Sequence, residues 1–188
     1  MSNAIEIEAK ALVQEDEYRR LVKRFRNYPK YIQTNYYIDN DESLLRKEGL
    51  ALRIRQKFDH YEMTLKTPLS QGLLEKNENL KGEEFHAFFD KRQFPENDLK
   101  RFLTMLDIDV ESLYVKASLT TTRIDVPYEG GKLSIDRNEY NGMVDYEVEL
   151  EYNNEADAER LLKELLESEG IPFVLNHKTK VGRALSTI

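Results

Sequence analysis

The sequence predicts an α+β protein, predominantly antiparallel, in which eight strands close into a β-tunnel and helices pack outside. Three observations carry this expectation. Most of the chain alternates with a period of two, the mark of strands with two different faces. The polar faces hold full charges more than Ser, Thr, Asn or Gln. Three further segments carry amphipathic stripes at helical spacing, and each stripe needs a surface to cover.

Strands are expected near 4–13, 31–39, 50–58, 60–67, 82–90, 114–128, 131–137 and 143–152. Gly130-Gly131 reads as a hairpin turn. Helices are expected over 15–28, where Tyr18, Leu21, Val22 and Phe25 share a face, and over 96–107, with Leu99, Phe102, Leu103 and Leu106. A third covers 155–169, with Asn153 or Asn154 as N-cap and Gly170 just past its end. A short last helix follows Lys178. The stretch 68–82 has neither period and reads as a long exposed loop. No linker, internal repeat or low-complexity tract appears, so 1–188 reads as one domain.

The strand faces set the chemistry. Glu6, Glu8 and Lys10 oppose Ile5, Ile7 and Ala9. Arg53, Arg55 and Lys57 oppose Leu52 and Ile54. Glu62, Thr64 and Lys66 oppose Tyr61, Met63 and Leu65. Arg123 and Asp125 alternate with Ile124 and Val126, and Asp136 follows Ile135. Asp145, Glu147, Glu149 and Glu151 oppose Tyr146, Val148, Leu150 and Tyr152. A solvated sheet face would need no such concentration of full charge. Closing the sheet turns these faces inward and leaves the apolar faces for the helices. Cations gathered inside need an anion among them, and the carboxylates need a cation. A polyphosphate chelated to Mg²⁺ or Mn²⁺ satisfies both.

The bulk composition excludes other classes. The 188 residues carry a formal net charge of −7, which argues against a nucleic-acid binder. There is no cysteine, so disulfides and thiolate metal sites are excluded. No apolar run suggests a membrane span and no signal peptide is evident, so a cytoplasmic location is expected. His60, His86 and His177 lack partners at useful spacing and receive no acid–base role. Tyr36, Tyr37, Phe88 and Phe89 read as core or rim aromatics. No Gly-rich phosphate loop is present.

The segment Glu6-Ile7-Glu8-Ala9-Lys10 resembles the N-terminal ExExK signature of the CYTH family, the triphosphate tunnel metalloenzymes. Further features follow in family order across nearly the whole chain: Arg53-x-Arg55, Thr64-Leu65-Lys66, Glu83-Glu84, Arg123, Asp136, Glu147-x-Glu149, then Lys180 and Arg183. The resemblance implies an eight-stranded tunnel and, in many members, triphosphate hydrolysis. It implies Glu6, Glu8 and Lys10 at the catalytic centre. Lys10, Arg53, Arg55, Lys66, Arg123, Lys180 and Arg183 become substrate ligands, and Glu6, Glu8, Glu147 and Glu149 metal ligands. Asp136 and Glu83 join an inner network, although Glu83 and Glu84 have opposite parity. Glu149 with Glu151 is an alternative metal pair, and Lys178 competes with Lys180.

The expected function is a metal-dependent triphosphatase acting by direct water attack, since no side chain is an obvious nucleophile. Its partner is a small molecule bearing a triphosphate: inorganic, nucleoside or thiamine triphosphate. An adenylate cyclase is the enzymatic alternative, and a non-catalytic triphosphate or organic-phosphate binding module the other.

Overall fold

A computed structural model describes residues 2–187. Nine strand segments form one antiparallel sheet: β1 (Ser2–Glu6), β2 (Glu8–Val13), β3 (Lys30–Asp39), β4 (Ala51–Lys57), β5 (His60–Pro68), β6 (Leu73–Leu80), β7 (Tyr114–Tyr128), β8 (Gly131–Tyr140) and β9 (Met143–Glu151). Their spatial order is β1-β6-β5-β4-β3-β7-β8-β9-β2. The two end strands are consecutive in the chain, with only Ile7 between them. β1 pairs with β6 and β2 pairs with β9, so the two edges of the sheet meet at Ile7. The Ile7 carbonyl accepts from the Tyr152 amide at 2.9 Å. Of the eight strands the sequence predicts, the first is broken in two at this kink, 82–90 is a helix, and β6 takes its place in the sheet, so nine segments result.

The join depends on close backbone approach. A Cβ on Gly72 would lie 2.3 Å from the Glu6 carbonyl oxygen, and one on Gly131 would lie 2.4 Å from that of Glu151. Only glycine fits at either place. Gly131 is thus a strand residue. The β7–β8 turn is Glu129-Gly130, both at positive φ, and not Gly130-Gly131.

Two segments differ from the sequence expectation. Residues 82–90, expected as a strand, form helix α3 (Gly82–Lys91). Phe85 and Phe88 lie three apart and are both buried, and the Lys81 amide donates to the Glu84 carboxylate at 2.7 Å. That is one half of a capping box. Residues 68–82, expected as a loop, contain β6. Its inward Glu75 and Asn77 are polar, and its outward Lys76 lies over the Phe102 ring, so no apolar alternation marks it.

The other helices are α1 (Glu15–Arg24), a short α2 (Leu44–Lys47), α4 (Asp98–Met105), α5 (Glu155–Ser168) and α6 (Lys180–Leu185). Helices α1 and α5 cover the outer face of β2 and β7–β9, burying Leu21, Leu162 and Leu166 against Ile135, Val148 and Leu150. Helices α3 and α4 cover β4 and β5, with Phe88, Leu99 and Leu103 against Ile54, Met63 and Leu65. Asn154 caps α5 by accepting from the Asp157 amide at 2.8 Å. Helix α6 differs from these. Its Val181, Ala184 and Leu185 pack on Tyr37, Ala117, Leu119 and Tyr140, which belong to the inner wall, so α6 lies against the inside of the curled sheet. Among the described residues no helix is long and apolar enough to cross a membrane.

Candidate active site

The paired strands turn their charged faces into one cavity of about 380 Å³. That lies within the range of small-molecule sites, about 300–1,000 Å³. Glu6, Glu8, Lys10, Arg53, Arg55, Lys66, Arg123, Glu149 and Lys180 all line it. Eight lining cations face five lining carboxylates. The cavity shares Arg46, Leu52 and Thr179 with an adjoining chamber of about 470 Å³ beside α6.

One wall is basic. Arg53 and Arg55 stand two apart on β4, opposite Tyr37 and Asn35 of β3. Arg55 donates from Nε to the Asn35 side-chain oxygen at 3.0 Å and makes no ion pair among the described residues. Burial, then Arg53 and Arg123, push its guanidinium down to about 10. The Arg53 Nε is buried and has no hydrogen-bond partner among the described residues. Lys66 contacts Glu6 and lies 2.8 Å from Glu75, which is also 3.6 Å from Arg53. Glu75 is not among the sequence-derived candidates, because it lies on β6, the strand that carries no apolar alternation.

The other wall mixes signs. Arg123 holds both oxygens of Asp136, at 2.7 and 2.6 Å, and also Glu149 at 2.7 Å. Lys180 Nζ lies 2.9 Å from Asp136 and 2.6 Å from Glu147, and it contacts Glu149. Arg183 donates to Glu147 at 2.8 Å and lies 2.9 Å from Asp145. Carboxylate oxygens of Asp136, Glu147 and Glu149 lie within 4.8 Å of one another. Burial opposes ionisation of Glu149, yet Lys180, Arg123 and Lys10 outweigh it and hold the carboxyl well below its usual range. Glu8 goes the other way: burial first, then Glu149, raises it, although Lys10 donates to it at 2.8 Å.

The remaining expected positions separate cleanly. Glu147 and Asp136 are fully buried behind the cavity wall, reached from it through Lys180. Arg183 likewise sits in that network and does not line the cavity. Glu83 is exposed on α3 and has no place in the inner network, a consequence of the helix replacing the expected strand. Lys178 is exposed, whereas Lys180 points inward. Glu151 lines the cavity and pairs with Lys132. His60, His86 and His177 are all exposed.

A family model, the CYTH domain, matches residues 4–181. A Bacillus subtilis (strain 168) protein named "Putative triphosphatase YjbK" is 33% identical over 174 residues, covering 92% of this chain and 90% of that one. A crystal structure from Bacillus halodurans, described as a "putative adenylate cyclase", superposes with a TM-score of 0.89 at 34% identity, covering 97% and 98% of the two chains. The Hippeastrum protein HpAC1, described as a "putative adenylyl cyclase" with a dominant triphosphatase activity, has the same fold: TM-score 0.77 at 21% identity, covering 97% and 96%. With the family model spanning nearly its whole length, the chain belongs to the CYTH domain family.

Proposed function

We propose that this chain is a divalent-metal-dependent triphosphatase whose cavity binds an inorganic or organic triphosphate. The observation that carries the reading is Arg55: a part-buried guanidinium, crowded by Arg53 and Arg123, with no carboxylate partner among the described residues. Such crowding is relieved when an anion enters. The unpartnered Arg53 Nε and the excess of lining cations point the same way. The names of the relatives support hydrolysis, and the fold shared with HpAC1 is compatible with it.

In this reading Arg53, Arg55, Lys66 and Lys10 grip phosphate oxygens, with Arg123 and Lys180 completing the wall. Arg offers a planar fork and Lys a point charge. The carboxylates also fit a hard cation. Glu6, Glu8 and Glu149 line one cavity, and Glu8 is raised because burial and Glu149 disfavour its charge. Glu6, Glu8 and Glu149 would hold Mg²⁺ or Mn²⁺, with Glu147 joining only through Lys180. Such an ion supplies charge neutralisation and an oriented water. Glu6 and Glu8 would orient the attacking water, and the arginines would stabilise charge on the transferred phosphoryl group. One continuous sheet supports a single domain over 1–188. A cytoplasmic setting is part of the same proposal.

Adenylate cyclase is the second reading, favoured by the description of the Bacillus halodurans relative. The chamber beside α6 leaves room for an organic group, so the substrates compared should include inorganic, thiamine and adenosine triphosphates. Product analysis with Mg²⁺ or Mn²⁺ separates the readings. Orthophosphate with the matching diphosphate supports hydrolysis. Cyclic AMP with pyrophosphate supports cyclisation. Tight binding without products supports a binding module.

A further inference from the structure

The chamber beside α6 is built differently from the phosphate cavity it joins. Its floor is aliphatic, with Ile38, Leu50 and Leu52 on one side and Val181 and Leu185 of α6 on the other. Its charged side chains are Asp39, Arg46 and Lys178. Asp39 is buried, and its carboxylate accepts from the backbone amides of Asn40, Leu45 and Arg46 at 2.8, 2.9 and 3.2 Å. That carboxylate is committed to holding the turn into α2. Arg46 and Lys178 are exposed and have no carboxylate partner among the described residues. A phosphate on this floor would lie against hydrocarbon, and a fixed cation would meet two unpaired positive side chains. A neutral planar group meets neither penalty, and the Arg46 guanidinium can stack on its face. Gly182 lines the chamber from within α6. Glycine weakens a helix interior, and the backbone here does not demand it. Its φ is not positive, and an added Cβ would meet, outside its own helix backbone and among the described residues, only the Thr179 hydroxyl at 3.1 Å. A larger side chain at that position would take chamber volume.

We propose that this chamber seats the uncharged heterocyclic base of a nucleoside triphosphate whose phosphates lie in the adjoining cavity, and that Gly182 and Arg46 set the preference. Leu50, Leu52, Thr179 and Val181 line both spaces, so a sugar at the junction links base to phosphates. The Thr179 hydroxyl accepts from the Gly182 amide at 3.1 Å and keeps its own proton for a sugar or ring acceptor. Thiamine triphosphate carries a fixed positive charge on its thiazolium ring, and Arg46 and Lys178 disfavour it. Both side chains are exposed, so this discrimination is screened and falls as salt rises. The inference rests on the reading above that the cavity holds a triphosphate.

Calorimetry in the presence of chelator tests it without turnover, with tripolyphosphate, inorganic tetraphosphate, ATP and thiamine triphosphate as ligands. Wild type should hold ATP about tenfold more tightly than thiamine triphosphate, and Arg46→Glu should shrink that ratio severalfold. Gly182→Leu should weaken ATP about tenfold or more and leave tripolyphosphate unchanged. Tripolyphosphate is thus the folding control. If Gly182→Leu fails to bind it, Gly182→Ala decides, with a smaller loss confined to ATP. Equal ATP binding in wild type and the glycine variants would overturn the proposal, as would a loss in Gly182→Ala shared equally by tripolyphosphate. A loss for tetraphosphate as large as for ATP would also overturn it, and would mark the chamber as an extension of the phosphate site. A wild type that binds no tripolyphosphate would instead sink the functional reading, while ATP binding that still falls in Gly182→Leu would leave the chamber standing.

Discussion

Arg123 grips Asp136 with two parallel hydrogen bonds, Nε to Oδ1 at 2.7 Å and Nη2 to Oδ2 at 2.6 Å. Arg55, on the facing wall, has no such partner among the described residues. The two arginines look alike in sequence, and their environments give them different work. Arg123 is committed before any ligand arrives, and Asp136 beside it is fully buried. Removing Arg123 should therefore damage the fold. Arg123→Ala should cost about 3 kcal/mol in a urea melt, at the low end of the range for breaking a buried pair because Lys180 still reaches Asp136.

Arg55→Ala should behave oppositely. Relieving a crowded, part-buried cation should leave the melting temperature unchanged or raise it. Triphosphate binding should weaken about ten- to a hundredfold, the worth of one charge-assisted contact to phosphate. Calorimetry with tripolyphosphate on both variants checks the contrast. A large stability loss in Arg55→Ala with unchanged binding would reverse the two roles.

Acid sensitivity should divide the carboxylates. Glu149 is held well below its ordinary 4.5, so its stabilising contribution is complete above that pH and is lost as pH falls through the depressed value. Glu8 is raised, so its contribution is present below 4.5 and is lost as pH rises. Urea melts of metal-free protein from about pH 6 to about pH 3 should show a flatter acid limb in Glu149→Gln and a steeper one in Glu8→Gln.

Glu75 partly neutralises Lys66 and Arg53. Removing its charge at constant shape should free both for phosphate. Glu75→Gln should bind tripolyphosphate about severalfold more tightly, because its charge repels the incoming anion. Weaker binding in a calorimetric titration would mean that Glu75 chiefly orients the two cations.

Strands are legible in the sequence where their two faces contrast. In β4, Leu52 and Ile54 are buried outside while Arg53 and Arg55 line the cavity, so hard charge alternates with aliphatic groups. The same holds for Val148 and Leu150 against Glu149. Strand β6 lacks that contrast, because Glu75 and Asn77 face inward while Lys76 faces out. The strand is therefore invisible to periodicity, and Glu75 with it. Segment 82–90 reads wrongly as a strand, although Phe85, Phe88 and Phe89 stand at i, i+3 and i+4, the helical spacing. The bond from the Lys81 amide to the Glu84 carboxylate marks the start of the helix. Lys178 and Lys180 are not separable by spacing, because the chain ahead of α6 is irregular. Only the packing of Val181 and Ala184 inside the tunnel fixes which lysine turns inward.

Phosphate release from inorganic triphosphate, followed with and without Mg²⁺ or Mn²⁺, bears most directly on the proposed chemistry. Wild type should release orthophosphate and pyrophosphate only when metal is present, and Arg55→Ala should lose about ten- to a hundredfold in kcat/KM while remaining folded. Equal release by wild type and Arg55→Ala, or release that persists after exhaustive chelation, would contradict a metal-dependent triphosphatase built on this cavity.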